Sequence, residues 1–348
     1  PTEGLALGGN SYRGVDATVR ITPDARRRHV YIIGKSGTGK SVMLQNMIIQ
    51  DVREGKGVCV VDPHGDLVEA VLANVPAARA DDIIVFDPSD TERPIGLNML
   101  EANTPQEADF AVQEMIAIFY KLVTDPSMIG PMFEHYMRNA MLTLMSTPEH
   151  PGTIVEIPRI LTDKEYQAYK LKGVTDPIIR AFWEKELPQT SGQTKGEMLP
   201  YLVSKIGRFI ENTMMRNIIG QERSGFSLRE VMDKQKVLLV NLSKGKVGEQ
   251  NSSLLGLIIV SKIQMAAMTR ADMAESDRKD FYLYIDEFQN FITDSISTIL
   301  SEARKYRLDL TIAHQYLGQL SPTANDNKIR DAELGTTGTI VSFKIGVE

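Results

Sequence analysis

Residues Gly34-Lys35-Ser36-Gly37-Thr38-Gly39-Lys40-Ser41 form a complete G-x-x-x-x-G-K-S run, and that spacing suits the capture of a chain of phosphates. Glycines let successive backbone N–H groups curl around phosphate oxygens, and a following helix adds the positive end of its dipole. Lys40 is the residue placed to reach the outer phosphates, and the Ser41 hydroxyl is placed to ligate Mg²⁺. Such a loop needs a strand before it and a helix after it. The apolar run Val30-Tyr31-Ile32-Ile33 and the helix-like residues 42–49 supply both. A glycine-rich turn without a ligand is the bland alternative; the flanking elements favour nucleotide, with ATP and Mg²⁺ as the expected cofactors.

Hydrolysis needs further groups. Phe281-Tyr282-Leu283-Tyr284-Ile285-Asp286-Glu287 is a buried-strand pattern ending in two carboxylates. Asp286 suits the Mg²⁺ shell and Glu287 suits orienting or deprotonating the attacking water. An acidic cap on a strand end is the alternative. Val60-Val61-Asp62-Pro63-His64-Gly65-Asp66 is another acidic strand end. There Asp62 either lies near the nucleotide or simply closes a Pro/Gly turn, and His64 has no neighbouring Cys or His that would make a metal site. Thr311-Ile312-Ala313-His314-Gln315 ends a further strand in an amide, where Gln315 is placed to sense a γ-phosphate or hold water. Arg304 and Lys305 fall in an expected helix over residues 297–306. Exposed arginines are usually solvated or paired, but one from an adjacent subunit accelerates phosphoryl transfer by about 10³–10⁵. Lys244 and Lys246 lie in Leu242-Ser243-Lys244-Gly245-Lys246-Val247-Gly248, read as a flexible loop. The loop either touches nucleic-acid phosphates or is a solvated turn, and no aromatic residues are interleaved to stack bases.

These groups must be held by a scaffold. Besides the strands already named, Val58-Cys59-Val60-Val61, Ile83-Ile84-Val85-Phe86, Val237-Leu238-Leu239-Val240-Asn241-Leu242 and Leu308-Asp309-Leu310-Thr311-Ile312-Ala313 are short apolar runs mostly separated by helix-length segments. That alternation predicts an α/β fold with a central, mostly parallel sheet flanked by helices. Between residues 105 and 220 strand signals vanish. Met132, Tyr136, Met137, Ala140, Met141, Leu144 and Met145 form one helical stripe, and Met198, Leu202, Ile206, Phe209 and Ile210 another. Core packing accounts for a methionine stripe better than a pliable partner groove does. The expected organisation is a first ATPase segment (1–104), an all-α insertion (105–220) and a second ATPase segment (221–348).

The 348 residues include 42% hydrophobic and 24% charged, ordinary for a globular chain. A lone cysteine, Cys59, forbids an internal disulfide framework and suits a reducing compartment. Residues 254–268 are apolar but interrupted by Ser261, Lys262 and Gln264, a stretch expected to be too short and polar to span a bilayer. The net charge of −6 argues against a surface coated in DNA, yet leaves room for a basic channel. The chain starts at Pro1 and stops just after the strand-like Thr339-Ile340-Val341-Ser342-Phe343-Lys344-Ile345, so a piece of something longer is expected.

Taken in order, Tyr31-Ile32-Ile33-Gly34 through Ser41, Val61-Asp62-Pro63-His64-Gly65-Asp66, Tyr284-Ile285-Asp286-Glu287-Phe288, and Ala303-Arg304-Lys305-Tyr306 followed by Ala313-His314-Gln315 resemble the HerA/FtsK branch of ring-forming P-loop ATPases. The likeness is strongest to the type IV secretion coupling proteins of the TraD and TraG group and spans nearly the whole chain. It implies a RecA-like P-loop NTPase, and a hexameric ring with nucleotide between subunits and single- or double-stranded DNA through its pore. It implies Arg304 as a finger supplied in trans, Gln315 as the amide sensor, and Arg216 as a weaker interface arginine. The helical insertion would meet relaxosome, secretion-channel or substrate proteins during conjugation. The family's N-terminal membrane helices are not in this sequence, so attachment to the inner face of the cell membrane would come from a segment absent here. A soluble HerA-type motor in DNA end processing or defence, and an ATP-gated protein-binding adaptor, are the rival readings.

Overall fold

The computed structural model describes residues 2–122, 130–190, 192–292, 302–320 and 335–345. The chain divides into two compact units, residues 1–87 with 226–348, and residues 88–225.

The first unit is built on seven strands in the spatial order β5-β6-β4-β7-β8-β3-β9. They are β3 (Val30–Ile33), β4 (Gly57–Asp62), β5 (Ile83–Phe86), β6 (Val237–Asn241), β7 (Phe281–Ile285), β8 (Leu308–His314) and β9 (Thr339–Ser342). Every hydrogen-bonded pair is parallel. Continuous apolar runs are what strands covered on both faces require, and β3, β4, β6, β7 and β8 are buried at every position. The edge strand β9 instead alternates half-buried and exposed residues. A separate antiparallel hairpin, β1 (Leu5–Tyr12) and β2 (Val15–Ile21), precedes the sheet. Its turn is Arg13-Gly14, both at positive φ (51° and 76°), which matches the twist of a two-residue hairpin.

The phosphate-loop helix Lys40–Arg53 packs Leu44, Met47, Ile48 and Val52 on Val30, Ile32, Val58 and Val60. Its far end is fixed by ionic bonds. Arg26 donates to both Asp51 carboxylate oxygens at 2.7 Å and to the Tyr284 hydroxyl at 2.8 Å, while Tyr284 donates to Asp51 at 2.6 Å. Burial works against the Arg26 charge, but Tyr284 and Asp51 outweigh it and raise its pKa. The helix is thereby tied to β7, the strand that carries the acidic pair.

A different buried charge is left without such support. Asp309 on β8 is 1% exposed, and neither carboxylate oxygen has a hydrogen-bond partner among the described residues. Burial first, then Asp280, pushes its pKa from 3.8 to about 7 against the pull of Arg26, Arg27 and Arg307. A carboxyl whose folded pKa is raised costs stability in its charged form: the penalty is absent below pH 4 and complete above pH 7. Asp309→Asn is therefore expected to stabilise the fold at pH 8 by up to a few kcal/mol. The gain should vanish below pH 4, as read by urea midpoints across pH.

The long helix Glu249–Thr269 has the length and composition to cross a membrane when extended to Asp272, contrary to the expectation for its apolar stretch. It is a core helix: 72% of its apolar window is buried inside the protein.

The second unit is helical. Residues 88–104 belong to it because Leu97, Asn98, Met99 and Leu100 are buried there. The Leu97 N–H donates to the Ile218 carbonyl, and the Asn98 amide donates to the carbonyls of Gly152 and Glu222. In the helix Pro131–Leu144, Tyr136, Met137, Ala140, Met141 and Leu144 are core residues, with Met145 just beyond, whereas Met132 is exposed. Leu202, Ile206 and Phe209 are buried as a second stripe on Gly192–Ile210.

Candidate functional site

The C-terminal ends of β4, β7, β8 and β3 lie side by side, since Val61 pairs with Ile285, Ile285 with Ile312, and Ile33 with His314. One edge of the sheet thus collects the phosphate loop, Gln315, Asp286, Glu287 and Asp62. The acidic strand β7 is not the hydrogen-bonded neighbour of β3; β8 runs between them. Gln315 therefore follows the strand next to the phosphate-loop strand, and the carboxylates stand one strand farther out.

Gly37 and Gly39 take φ values of +74° and +106°, a region closed to most side chains, and this is what lets the loop turn its N–H groups inward. Lys35, Ser36 and Gly37 are exposed, and Ser41 is exposed in the first turn of the helix. The Lys40 ammonium is buried and donates to the Gly34 carbonyl at 2.6 Å and the Lys35 carbonyl at 3.2 Å. Two of its three protons are thus occupied by the loop itself, and the third is left for an anion. Beneath the loop, the Tyr31 hydroxyl and His314 Nε2 are 2.6 Å apart. Burial, with a smaller push from Lys40, lowers His314 to about 4 against the pull of Glu287, so the imidazole is neutral at pH 7.

Asp286 is 5% exposed. Its Oδ1 accepts the Glu287 N–H at 2.9 Å. Burial first, then the charges of Glu287 and Asp62, raise its pKa to about 6, while the Glu287 N–H and His64 oppose the rise. Such a carboxylate is one that a hard cation would stabilise, and a serine hydroxyl plus a carboxylate is a donor set that suits Mg²⁺. Among the described residues no group of three or more His, Cys, Asp or Glu could hold a metal unaided. A cation brought with the phosphates, bound by Asp286 and Ser41, fits that sparse set.

Glu287 is the most constrained residue of the edge. Its backbone is left-handed, with φ +47°. Its Oε1 accepts from Gln315 Nε2 at 3.0 Å and its Oε2 from Gln289 Nε2 at 2.5 Å. The amide expected to sense phosphate therefore touches the candidate base directly. Gln319 in turn accepts the Gln315 N–H at 2.9 Å.

Asp62 makes the turn-closing bonds that are one of its two readings. Its carboxylate accepts the N–H groups of His64, Leu67 and Val68, at 2.8, 2.9 and 3.1 Å. It closes the turn and bonds the first N–H groups of the helix Asp66–Leu72, and its charge is a neighbour of Asp286. Lys244 and Lys246 also depart from expectation. They sit on a helical turn, Lys244–Val247, in place of a flexible loop. Lys244 donates to Asn290 Oδ1 at 3.1 Å, and Lys246 is 3.8 Å from Glu69.

Residues 297–301 of the expected arginine-bearing helix lie outside the described residues; Arg304 itself is on the 3₁₀ turn Ala303–Tyr306. That turn enters β8, so Arg304 stands at the opposite edge of the sheet from Gln315, about 20 Å away along a seven-residue strand. It lies far from the phosphate loop of its own chain. Its side chain is half exposed and lies 3.9 Å from Asp24. The turn is pinned from behind: Arg270 donates to the Tyr306 carbonyl at 2.9 Å and Arg278 to the Lys305 carbonyl at 2.5 Å. Arg216, in the helical unit, donates to the Ile210 carbonyl at 2.8 Å and to Thr213 at 3.3 Å, a local helix-end role.

Sequence reading missed Gln289, Asn290 and Gln319. Their only signal is the string Glu287-Phe288-Gln289-Asn290, two amides directly after an acidic strand end.

Solved structures share this architecture. The bacterial conjugative coupling protein TrwBdeltaN70, in its unbound monoclinic form, superposes with a TM-score of 0.59 at 19% identity, covering 97% of this chain and 72% of that one. Plasmid coupling protein TrwB in complex with ADP and Mg²⁺ gives 0.61 at 18% identity, covering 97% and 73%. VirB4 of Thermoanaerobacter pseudethanolicus gives 0.61 at 15%, covering 99% and 85%. These likenesses establish the fold: a RecA-like P-loop NTPase sheet carrying a helical insertion. Among curated proteins none matches the sequence. The family model for the type IV secretion-system coupling protein DNA-binding domain matches residues 15–329. With that match over most of its length, the chain belongs to the family of type IV secretion-system coupling proteins.

Proposed function

We propose that the protein is an ATP-driven DNA translocase that feeds DNA to a type IV secretion or conjugation system and works as a ring, hexameric when complete. The observation that carries this reading is the division of labour between the two edges of the sheet. Phosphate loop, Asp286, Glu287 and Gln315 share one edge, while Arg304 faces outward at the other. An ATPase whose finger is out of reach of its own nucleotide needs a neighbour to complete it, and a ring closes that chain of dependence.

In the proposed cycle residues 34–41 wrap the phosphates of ATP, and the remaining Lys40 N–H donates a hydrogen bond to them. Ser41 and Asp286 would hold Mg²⁺, which would supply charge neutralisation at the phosphates. Glu287 takes a proton from the attacking water, and Gln315 fixes the carboxylate that does so. Arg304 of the next subunit bears on the transferred phosphoryl group. Lys244 and Lys246 contact the DNA backbone. Secretion-channel or relaxosome proteins are the proposed partners of the helical unit, and the proposed location is the cytoplasmic face of the membrane.

The test is the ATPase rate against protein concentration, with and without DNA. Specific activity should climb steeply with concentration and rise again with DNA. A slow rate that ignores both would favour an ATP-gated adaptor over a motor.

A further inference from the structure

We propose that Asn290 is a positioning residue that ties the lysine-bearing turn after β6 to Glu287, so that phosphate contact at Lys244 is felt at the hydrolytic carboxylate. The inference rests on the reading of the protein as a DNA-translocating ATPase with Glu287 as its base.

The connection is a short run of hydrogen bonds. Asn290 Nδ2 donates to the Glu287 carbonyl at 2.9 Å, and its backbone N–H donates to the same carbonyl at 3.0 Å. Its side-chain oxygen accepts from Lys244 Nζ at 3.1 Å. The Lys244 N–H donates to the Pro63 carbonyl at 3.0 Å, anchoring the lysine turn to the exit of β4. Glu287 meanwhile is left-handed and bonded at every polar atom. Its N–H goes to Asp286, its carboxylate receives Gln289 and Gln315, and its carbonyl receives Asn290 twice. A non-glycine residue keeps such a backbone only where its surroundings over-determine it, and Asn290 supplies both donors to that carbonyl.

Among the described residues Lys244 also has an anionic neighbour, Glu249 at 3.7 Å. A phosphodiester arriving at the free N–H groups of the ammonium forms an ion pair where Asn290 offers a neutral acceptor, and it draws the ammonium away from the amide. Asn290 then loses the partner that orients its amide, and the Glu287 backbone loses a donor that holds its conformation. The two ends are thermodynamically linked, so nucleotide at the Glu287 end must alter DNA affinity by the same factor that DNA alters nucleotide affinity.

That reciprocity gives a binding test that does not depend on turnover. DNA Kd is measured by fluorescence anisotropy on the full chain, with and without a non-hydrolysable ATP analogue and Mg²⁺. The wild-type ratio of the two Kd values should differ from one by about fivefold or more. Asn290→Ala should bring the ratio close to one while the analogue still binds. Asn290→Asp keeps the acceptor for Lys244 but loses the donor to Glu287, so it should fail equally; rescue by aspartate would reduce Asn290 to a space-filling role. Lys244→Met should also collapse the ratio, and the double variant should be no worse than either single one, since both cut the same link. A coupled wild type with an equally coupled Asn290→Ala overturns the assignment of Asn290 alone. A wild type that binds no DNA, or binds it with no regard to nucleotide, overturns the assignment together with the motor reading beneath it.

Discussion

Glu287→Gln is expected to keep nucleotide binding and to lower ATP turnover by about 10²–10⁴, the worth of a positioned general base. The substitution changes charge and hardly changes shape. Gln315 Nε2 can still donate to the oxygen it now contacts at 3.0 Å. The new amide would turn its NH₂ toward Gln289, which must flip its own amide to present oxygen. Binding should survive for a second reason. Glu287 is one of the charges that hold Asp286 near pKa 6, after burial itself, and removing it lets Asp286 ionise more readily. The charged form of Asp286 is the one that would hold Mg²⁺. Metal-dependent nucleotide affinity in the wild type should therefore be full well above pH 6 and fall as pH drops through it. In Glu287→Gln that acid limb should move to lower pH. Single-turnover hydrolysis and analogue binding measured across pH give both readings, and a variant that turns over ATP at the wild-type rate would remove Glu287 from the mechanism.

How much of this edge is legible in the sequence depends on how far away each residue's partner lies. The strands β4 and β7 announce themselves because they are covered on both faces and carry no polar residue before their acidic ends. The phosphate loop is legible because its geometry is local: the glycines, lysine and serine act through their own backbone. The hairpin β1–β2 is invisible to an apolar-run criterion, since its strands are mostly exposed. Asp62 and Asp286 look alike as strand-end carboxylates. What separates them is the turn that follows: after Asp62, Gly65 at φ +95° brings three N–H groups back onto the carboxylate. After Asp286 the chain offers one. Strand order is also beyond local reading, so nothing in residues 281–287 says that β8 will lie between them and the phosphate loop. The amides at 290 and 315 gain further meaning from partners across the fold, Lys244 and Glu287.

Arg304→Ala should reduce turnover by about 10³–10⁵, the span attributed to a guanidinium delivered to the transferring phosphoryl group. It should do so without loosening the subunit that bears it. Within the subunit Arg304 meets only Asp24 among the described residues, at 3.9 Å, with both side chains more than half exposed. A surface pair of that kind adds little to stability. The turn around it is held by backbone carbonyls that accept from Arg270 and Arg278, bonds that alanine at 304 leaves untouched. Arg304→Lys should recover only part of the loss, since lysine keeps the charge but not the planar fork. The decisive measurement is mixing. Arg304→Ala subunits retain Glu287 but lack the finger; Glu287→Gln subunits retain the finger but lack the base. Where the second kind sits with its Arg304 edge against the nucleotide of the first, one complete site forms. Mixed samples should then hydrolyse ATP faster than either parent, with a maximum near equal proportions. Such recovery requires the two residues to serve one site from two chains, an arrangement consistent with their places at opposite ends of β8 and β7. If Arg304 acted within its own subunit, mixing would give no more than the sum of two inactive proteins.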